Sequence, residues 1–480
     1  MTRPDTLPHR RAPRRAARAA IGALLAALAA APLAAQQLSD AERARVDSSA
    51  QAVLDATGAP SASIAVVRGG RIVYEQAYGQ ARLDPAIGAR PDMRYAIGSV
   101  SKQFTAAAAL MLAEERRLSL DDRVAKWFPS LTRADEVTLR QLLSMTSGYQ
   151  DYWPQDYVFP DMRRPATARE IMDRWAGKPL DFDPGTRWQY SNTNYVIAAR
   201  IVERVSGMSL MEFLRRRIFG PLGMTSVADF DAGPLGPSDA GPYLRNGLGP
   251  LRLAPKEARG WLFGAGELAM TAHDLALWDV SVLHHTLLRP ESYRTQQTEV
   301  LLANGTATGY GLGVSVGENG GRRRISHGGA VSGYTTSNTV YPDDDVAIVV
   351  FTDIYPGAAG APDQIAGRIA NVVLPPTDSG AAEAREQARR IYLGLMRGTI
   401  DRTLLTADAN DYFSPEALAD CQASLGPLGE PTAFVARAQS LRGGMTIRSY
   451  LVRAGGVLMG LTVMTMPDGK IEEYLVERAG

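Results

Sequence analysis

The chain reads as an α+β protein: an antiparallel sheet flanked by helices and joined to an all-helical half, followed by a small C-terminal α+β domain. Three observations carry that reading. Strand-like runs sit at both ends of residues 39–375, and the stretch between them is helical and loop-like. Leu374-Pro375-Pro376-Thr377-Asp378-Ser379-Gly380 has the composition of a linker. Beyond it, one long helical pattern precedes several β-like runs at meander spacing.

The N-terminus stands apart. Arg3, Arg10, Arg11, Arg14, Arg15 and Arg18 form a basic lead. Ala19 to Ala31 is unbroken apolar sequence, and Pro32-Leu33-Ala34-Ala35 ends in small residues. This is the pattern of a secretory signal peptide cut after Ala35, by either the general or the twin-arginine route. Thirteen apolar residues are too few to span a bilayer comfortably. An uncleaved anchor is the competing reading. The expected segments are a signal peptide (1–35), a main domain (36–375) and a small accessory domain (376–480), with export to the periplasm or the outside and no stable membrane span afterwards. Removing residues 1–35 takes away six Arg and one Asp, and the formal charge moves from +1 to −4. No basic patch remains that would argue for nucleic acid. Arg322-Arg323-Arg324 reads as a solvated strand end. Cys421 is the only cysteine, so an intramolecular disulfide is impossible, and it lies too far from the leader to carry a lipid.

Along the main domain, Ser39 to Thr57 is expected as a helix, with Ser39 as cap and Asp40 and Glu42 in the first turn. Ser61 to Arg68 and Arg71 to Tyr78 are two strands turned at Gly69-Gly70. A helix from Ser99 to Arg117 opens the helical middle. Ala232 to Pro255 is Gly/Pro-rich, lacks periodicity and reads as a surface excursion. Strand character returns at Gly309 to Val316, Arg324 to Ala330, Thr335 to Tyr341 and Val346 to Thr352, with Pro342-Asp343-Asp344-Asp345 turning the last pair. In the accessory domain, a helix from Ala381 to Leu395 precedes strands at Pro431 to Gln439, Met445 to Val452, Val457 to Met466 and Lys470 to Glu477.

Within this frame Ser99 and Lys102 are the most informative pair. Three residues apart on one helix, they share a face, so the Lys102 amine lies beside the Ser99 hydroxyl. The chain has five Lys against 47 Arg. Arg cannot give up its proton in a protein and a desolvated Lys can, so a Lys here suggests a titratable amine serving a serine nucleophile. A chance pair on one helix face is the alternative. Tyr190-Ser191-Asn192 follows Pro184-Gly185 and leads into a helix, Thr193 to Val205. A Tyr near a lysine ammonium can relay protons, and an Asn side chain can bind an amide carbonyl. A simple helix cap would also use Tyr-Ser-Asn. His327-Gly328-Gly329-Ala330 lies on a strand, where glycines permit a close backbone approach and leave N–H groups for a ligand. One such N–H with that of Ser99 would make an oxyanion hole; a bulge is the other reading.

Together these segments resemble the serine β-lactamase and penicillin-binding-protein family, in particular its class C β-lactamase-like hydrolases and esterases. The family's boxes are matched by Ser99-Val100-Ser101-Lys102, Tyr190-Ser191-Asn192 and His327-Gly328-Gly329. Thr146-Ser147-Gly148, Pro184-Gly185, Gly264-Ala265-Gly266 and Tyr310-Gly311-Leu312-Gly313 support the match, which covers residues 45–372. The resemblance implies the β-lactamase/transpeptidase-like fold. It also implies that Ser99 is acylated, Lys102 and Tyr190 handle its proton, and the N–H groups of Ser99 and Ala330 hold the oxyanion. Asn192, His327, Gly328 and Gly329 would contact substrate. No metal or other cofactor is implied, the partner is a small molecule or peptide, and the oligomeric state is not legible. The third box departs from the family's usual Lys-Thr-Gly, which helps hold a substrate carboxylate in β-lactamases; a neutral His and a Gly hold it poorly. Met145 stands where the family often has His. The expected activity is therefore acyl-enzyme hydrolysis of esters or D-amino-acid amides and peptides. A true β-lactamase or D,D-carboxypeptidase is the second reading, and a non-catalytic binding protein on the same fold the third.

Overall fold

The computed structural model describes residues 37–155, 157–374 and 380–479. The expected leader and residues 375–379 of the expected linker lie outside them. The described residues divide into two compact units: residues 37–317 with 323–374, and residues 318–322 with 380–479.

In the first unit, helix α1 (Asp40–Thr57) starts at a capping box, in which Ser39 Oγ accepts from Glu42 N at 3.2 Å and Glu42 Oε2 accepts from Ser39 N at 2.7 Å. Strands β1 (Ser61–Arg68) and β2 (Arg71–Leu83) form the expected hairpin, β2 continuing past Tyr78 to pair with β3 (Ala86–Gly88). Strands β4 (Ser315–Asn319), β5 (Arg322–Val331), β6 (Tyr334–Tyr341) and β7 (Val346–Thr352) complete a seven-stranded antiparallel sheet of order β3-β2-β1-β7-β6-β5-β4. The first and last strand groups thus meet at the β1–β7 ladder, from Ala62 opposite Thr352 to Arg68 opposite Val346.

Both faces of the sheet are covered. Val46, Val53 and Leu54 of α1 pack with Ile64, Val66, Ile348 and Val350 on one side. Ala65, Val67, Val349 and Phe351 face the helical half on the other. The helices there include α2 (Ser101–Glu114), α3 (Asn192–Ser206) and α4 (Ala272–His284). Being central, β1 and β7 are buried on both faces, which is why they are nearly continuous apolar runs. Residues 101–112 of α2 are all buried. Helix α5 (Ala361–Val373) closes the unit against the α1 face through Ile365 and Ile369.

The second unit holds α6 (Ala381–Met396), α7 (Ala407–Tyr412), α8 (Pro415–Leu425) and a four-stranded meander. Its strands are β8 (Ala433–Arg442), β9 (Met445–Ala454), β10 (Val457–Thr465) and β11 (Ile471–Arg478). Ile391, Tyr392 and Leu395 of α6 pack on Val452, Leu461, Val463 and Tyr474.

Three expectations need correction. Gly309 to Val316 is a strand only from Ser315, because Gly309 and Gly313 take φ of +64° and +74° and turn the chain between them. Ala232 to Pro255 is not wholly superficial: Asp239 is buried, its carboxylate held by Arg94 at 3.0 and 2.6 Å, and Tyr243–Arg245 pairs with Leu251–Leu253. Arg322, Arg323 and Arg324 are half-buried, and Arg323 donates to the Gln297 side chain at 3.3 Å.

One junction between sheet and helices bears on the site. Gly98 has φ +51°, and a Cβ there would stand 2.8 Å from Ala330 N. A Cβ at Gly329 would overlap Ile97 O and Thr336 Oγ1, which already share a hydrogen bond of 3.0 Å. At Gly328 the nearest atom to such a Cβ is Thr336 O at 3.6 Å, an ordinary contact. Gly329→Ala should therefore cost about 1–3 kcal/mol of stability by overpacking, and Gly328→Ala less than about 0.5 kcal/mol. Urea unfolding checks this; equal losses in the two variants would contradict the close approach.

Candidate active site

Ser99 lies in a 3₁₀ turn, Gly98–Val100, that runs directly into α2 at Ser101. The expected helix thus begins with a tighter turn, and Ser99 and Lys102 still meet: Nζ is 2.8 Å from Oγ. Lys102 is fully buried. Its Nζ also donates to Asn192 Oδ1 at 2.8 Å and to the Ala265 carbonyl at 2.9 Å. Neither of those acceptors has a hydrogen to give. Of these three contacts, the one with Ser99 is the one whose partner can take either part, because a hydroxyl both donates and accepts.

Asn192 opens α3, after Ser191 as the residue preceding the helix; Ser191 makes no capping bond of its own. The cap comes from Asp151 instead. Its carboxylate accepts from Asn192 N at 2.9 Å and from Asn192 Nδ2 at 3.3 Å, which points the amide oxygen at Lys102. Burial pushes the Asp151 carboxyl above its ordinary pKa, while the N–H groups of Trp153 and Asn192 and the charge of Lys102 pull the other way. The Thr146-Ser147-Gly148 loop braces the same helix start: Ser147 Oγ donates to Asn194 Oδ1 at 2.6 Å, and Gly185 N donates to Thr146 O at 2.8 Å. Met145 contributes Sδ, 3.4 Å from Ser191 N. The Tyr190 ring centroid stands 4.9 Å from Lys102 Nζ and 6.2 Å from the His327 ring.

The orientation of Ala330 follows from register. A two-residue turn, Ser332-Gly333, joins β5 to β6, with Val331 opposite Tyr334. In such a hairpin that flanking pair is hydrogen-bonded. The N–H of Val331 therefore faces β6, and those of Ala330 and Ser332 face the outer edge of β5. There β4, only five residues long, runs beside the first half of β5 alone. The Ala330 N–H thus lies on an open edge, against the turn that carries Ser99.

His327 is pinned on both nitrogens. Nδ1 is 2.6 Å from Gly328 O, an atom that can only accept, so Nδ1 carries the hydrogen. Nε2 then accepts from Tyr310 Oη at 2.9 Å. Burial first, and the Lys102 charge second, hold the His327 pKa down to about 4 against the opposing Gly328 hydrogen bond. The side chain is neutral at neutral pH.

Ser99, Lys102, Tyr190, Asn192, His327, Gly328, Gly329 and Ala330 thus come from three segments far apart in sequence and converge on one site. Sequence reasoning did not single out Asp151 or the Ala265 carbonyl. Gly264-Ala265-Gly266 drew notice as a motif, but a backbone oxygen has no residue type to betray it. Asp151 has no local pattern at all.

A family model described as Beta-lactamase matches residues 38–370. Penicillin-binding protein 4* of Bacillus subtilis (strain 168) is 28% identical over 306 residues, 61% of this chain and 67% of that protein. A D-aminopeptidase of Brucella anthropi is 28% identical over 332 residues, 66% of this chain but only 59% of that protein, so the chain spans about three fifths of that relative. Among solved structures, the octameric penicillin-binding protein homologue from Pyrococcus abyssi superposes with a TM-score of 0.60 at 19% identity, covering 90% of this chain and 99% of that one. At that identity the likeness is one of fold.

The depressed His327 pKa makes a pH prediction. Between pH 6.5 and about 4 the unfolded chain binds a proton at His327 that the folded chain refuses. Its contribution is complete above pH 6.5 and is lost as pH falls toward 4, to a total of at most roughly 3 kcal/mol. Urea unfolding at pH 7 and pH 4.5 should show a steeper acid loss in the wild type than in His327→Gln. Parallel losses would contradict a neutral buried His327.

Proposed function

The chain belongs to the beta-lactamase family, and we propose that it is an exported serine hydrolase that forms an acyl-enzyme on Ser99 and hydrolyses esters or D-amino-acid amides and peptides. The observation that carries this reading is the set of partners around Lys102. With Asn192 and Ala265 holding two N–H groups, the neutral amine has its lone pair on Ser99, and taking up the hydroxyl proton disturbs neither of the other bonds. Ser99 Oγ attacks the acyl carbon as its proton passes to Nζ. The carbonyl oxygen becomes an oxyanion facing the N–H groups of Ser99 and Ala330. Collapse expels the alcohol or amine, which receives the proton from Lys102 through the Tyr190 hydroxyl. Water then adds to the ester of Ser99 and returns its proton by the same groups, releasing a carboxylic acid and the free serine.

The leader-like residues 1–35 support export. Among the described residues, no helix is long and apolar enough to cross a membrane. The neutral His327 argues against a dedicated β-lactamase, because the third box then lacks a cation for a substrate carboxylate.

A fluorophosphonate probe should label Ser99 and nothing else, with Ser99→Ala unlabelled by intact mass; labelling that persists would refute the nucleophile and a failure to label would favour a binding protein. Lys102→Arg keeps the charge but cannot accept a proton, so kcat should fall on the order of a hundredfold or more. Retention of most of kcat would reduce Lys102 to an electrostatic role. A short-chain nitrophenyl ester should be turned over with higher kcat/KM than a chromogenic cephalosporin, and the reverse order would restore the β-lactamase reading.

A further inference from the structure

Glu257 is a buried carboxylate that the steps above leave unused. It is 2% exposed. Its Oε1 accepts from Ser332 N at 2.9 Å, and its Oε2 has no hydrogen-bond partner among the described residues. A bare carboxylate oxygen in the interior is costly, on the order of 1–3 kcal/mol or more. The nearby Asp231, which accepts from Gly260 N at 2.8 Å and Leu262 N at 3.0 Å, adds negative charge to the same region. Lys256 is the local cation, yet its Nζ donates to the Glu257 backbone carbonyl at 3.0 Å. Burial, with Asp231 adding, pushes the Glu257 carboxyl up from its ordinary pKa, against the pull of backbone N–H groups and Lys256.

Where Glu257 sits gives that oxygen a use. The N–H groups of Ala330 and Ser332 point from the same open edge of β5, one two-residue repeat apart, or about 6.6 Å. Glu257 caps the second as the substrate's carbonyl oxygen would cap the first. Tyr190, the leaving group's proton source in the reaction above, stands beside His327, so the leaving group lies toward that end. The acyl residue's α-carbon then lies toward Ser332. The α-nitrogen, one bond from that α-carbon, then falls on the Glu257 side of the edge.

We propose that Glu257 holds the α-ammonium of the substrate's acyl residue, so that the preferred substrate is an amide or ester of an amino acid with an unblocked amine. This rests on the acyl-enzyme reading of Ser99.

The test compares three p-nitroanilides, each as the full chain's substrate: phenylalanine (D and L forms), its N-acetyl derivative, and the desamino 3-phenylpropionyl analogue. The wild type should favour the free amine of one enantiomer over both blocked forms by tenfold or more in kcat/KM. Glu257→Gln keeps an acceptor for Ser332 N–H and removes the charge; it should lower that preference at least tenfold, chiefly through KM. A preference left intact, or free and blocked substrates falling in parallel, would assign Glu257 to structure alone and overturn the proposal. Should the variant fail to fold, the wild type decides: equal turnover of the phenylalanine and desamino anilides overturns it. Failure of the underlying reading shows differently, as no turnover of any anilide and no fluorophosphonate label on Ser99, and both proposals then fall.

Discussion

Everything at this site follows from burying one amine. Lys102 has no exposed surface, and an ammonium taken out of water costs several kcal/mol unless it is fully hydrogen-bonded. The fold answers with acceptors from three places: Ser99 in the 3₁₀ turn before α2, Asn192 at the start of α3, and the Ala265 carbonyl in the loop ahead of the 268–270 strand. Each must be fixed in turn. Asp151 orients Asn192, and Thr105 Oγ1 holds the Gly264 carbonyl at 2.9 Å, steadying the loop that carries Ala265. Removing any of these acceptors weakens the hold on the buried amine, so the constellation acts as a unit.

The second constraint is how closely two backbones approach. Ala330 can offer its N–H beside Ser99 only if strand β5 and the turn before α2 come nearly into contact. Gly98 and Gly329 make that possible in different ways: Gly98 through a left-handed φ as well as space, Gly329 through space alone. The short β4 then leaves the outer edge of β5 without a neighbouring strand beyond Ser326. Sheet and helical half are therefore joined at the point where both supply atoms to the site. The glycines follow from the chemistry more than from the turn.

Much of this was legible in the sequence because it is written in local periodicity. The i, i+3 relation of Ser99 and Lys102 survives even though a 3₁₀ turn replaces the first turn of α-helix. Strands β1 and β7 were recognisable from continuous apolar runs, which their burial on both faces explains. Residues 309–314 misled because Tyr310, Leu312 and Val314 alternate with small residues as a strand would, yet the intervening glycines bend the chain and the three side chains are buried from a loop. Asp151, Ala265 and Glu257 were not legible. Their partners lie 41, 163 and 75 positions away in sequence, and each of those contacts involves a backbone atom. No spacing rule reaches that far.

The open edge of β5 also separates reaction from selection. On the proposed acyl-enzyme reading, the groups beside the acyl carbon are a buried amine and backbone N–H groups, indifferent to what the substrate carries farther out. On that reading the two ends of the edge set selectivity, and they differ in the groups they offer. At the His327 end, burial keeps the imidazole neutral, so a substrate carboxylate there gains no ion pair. At the Ser332 end a carboxylate waits with one oxygen bare. A carboxylate can pair with a cation there, whereas a neutral ring offers a carboxylate only a hydrogen bond worth about 1 kcal/mol. On the proposed reading, that asymmetry favours substrates charged positively on the acyl side over those charged negatively on the leaving side. The same catalytic core, given a cation at position 327 and an apolar residue at 257, would favour the opposite.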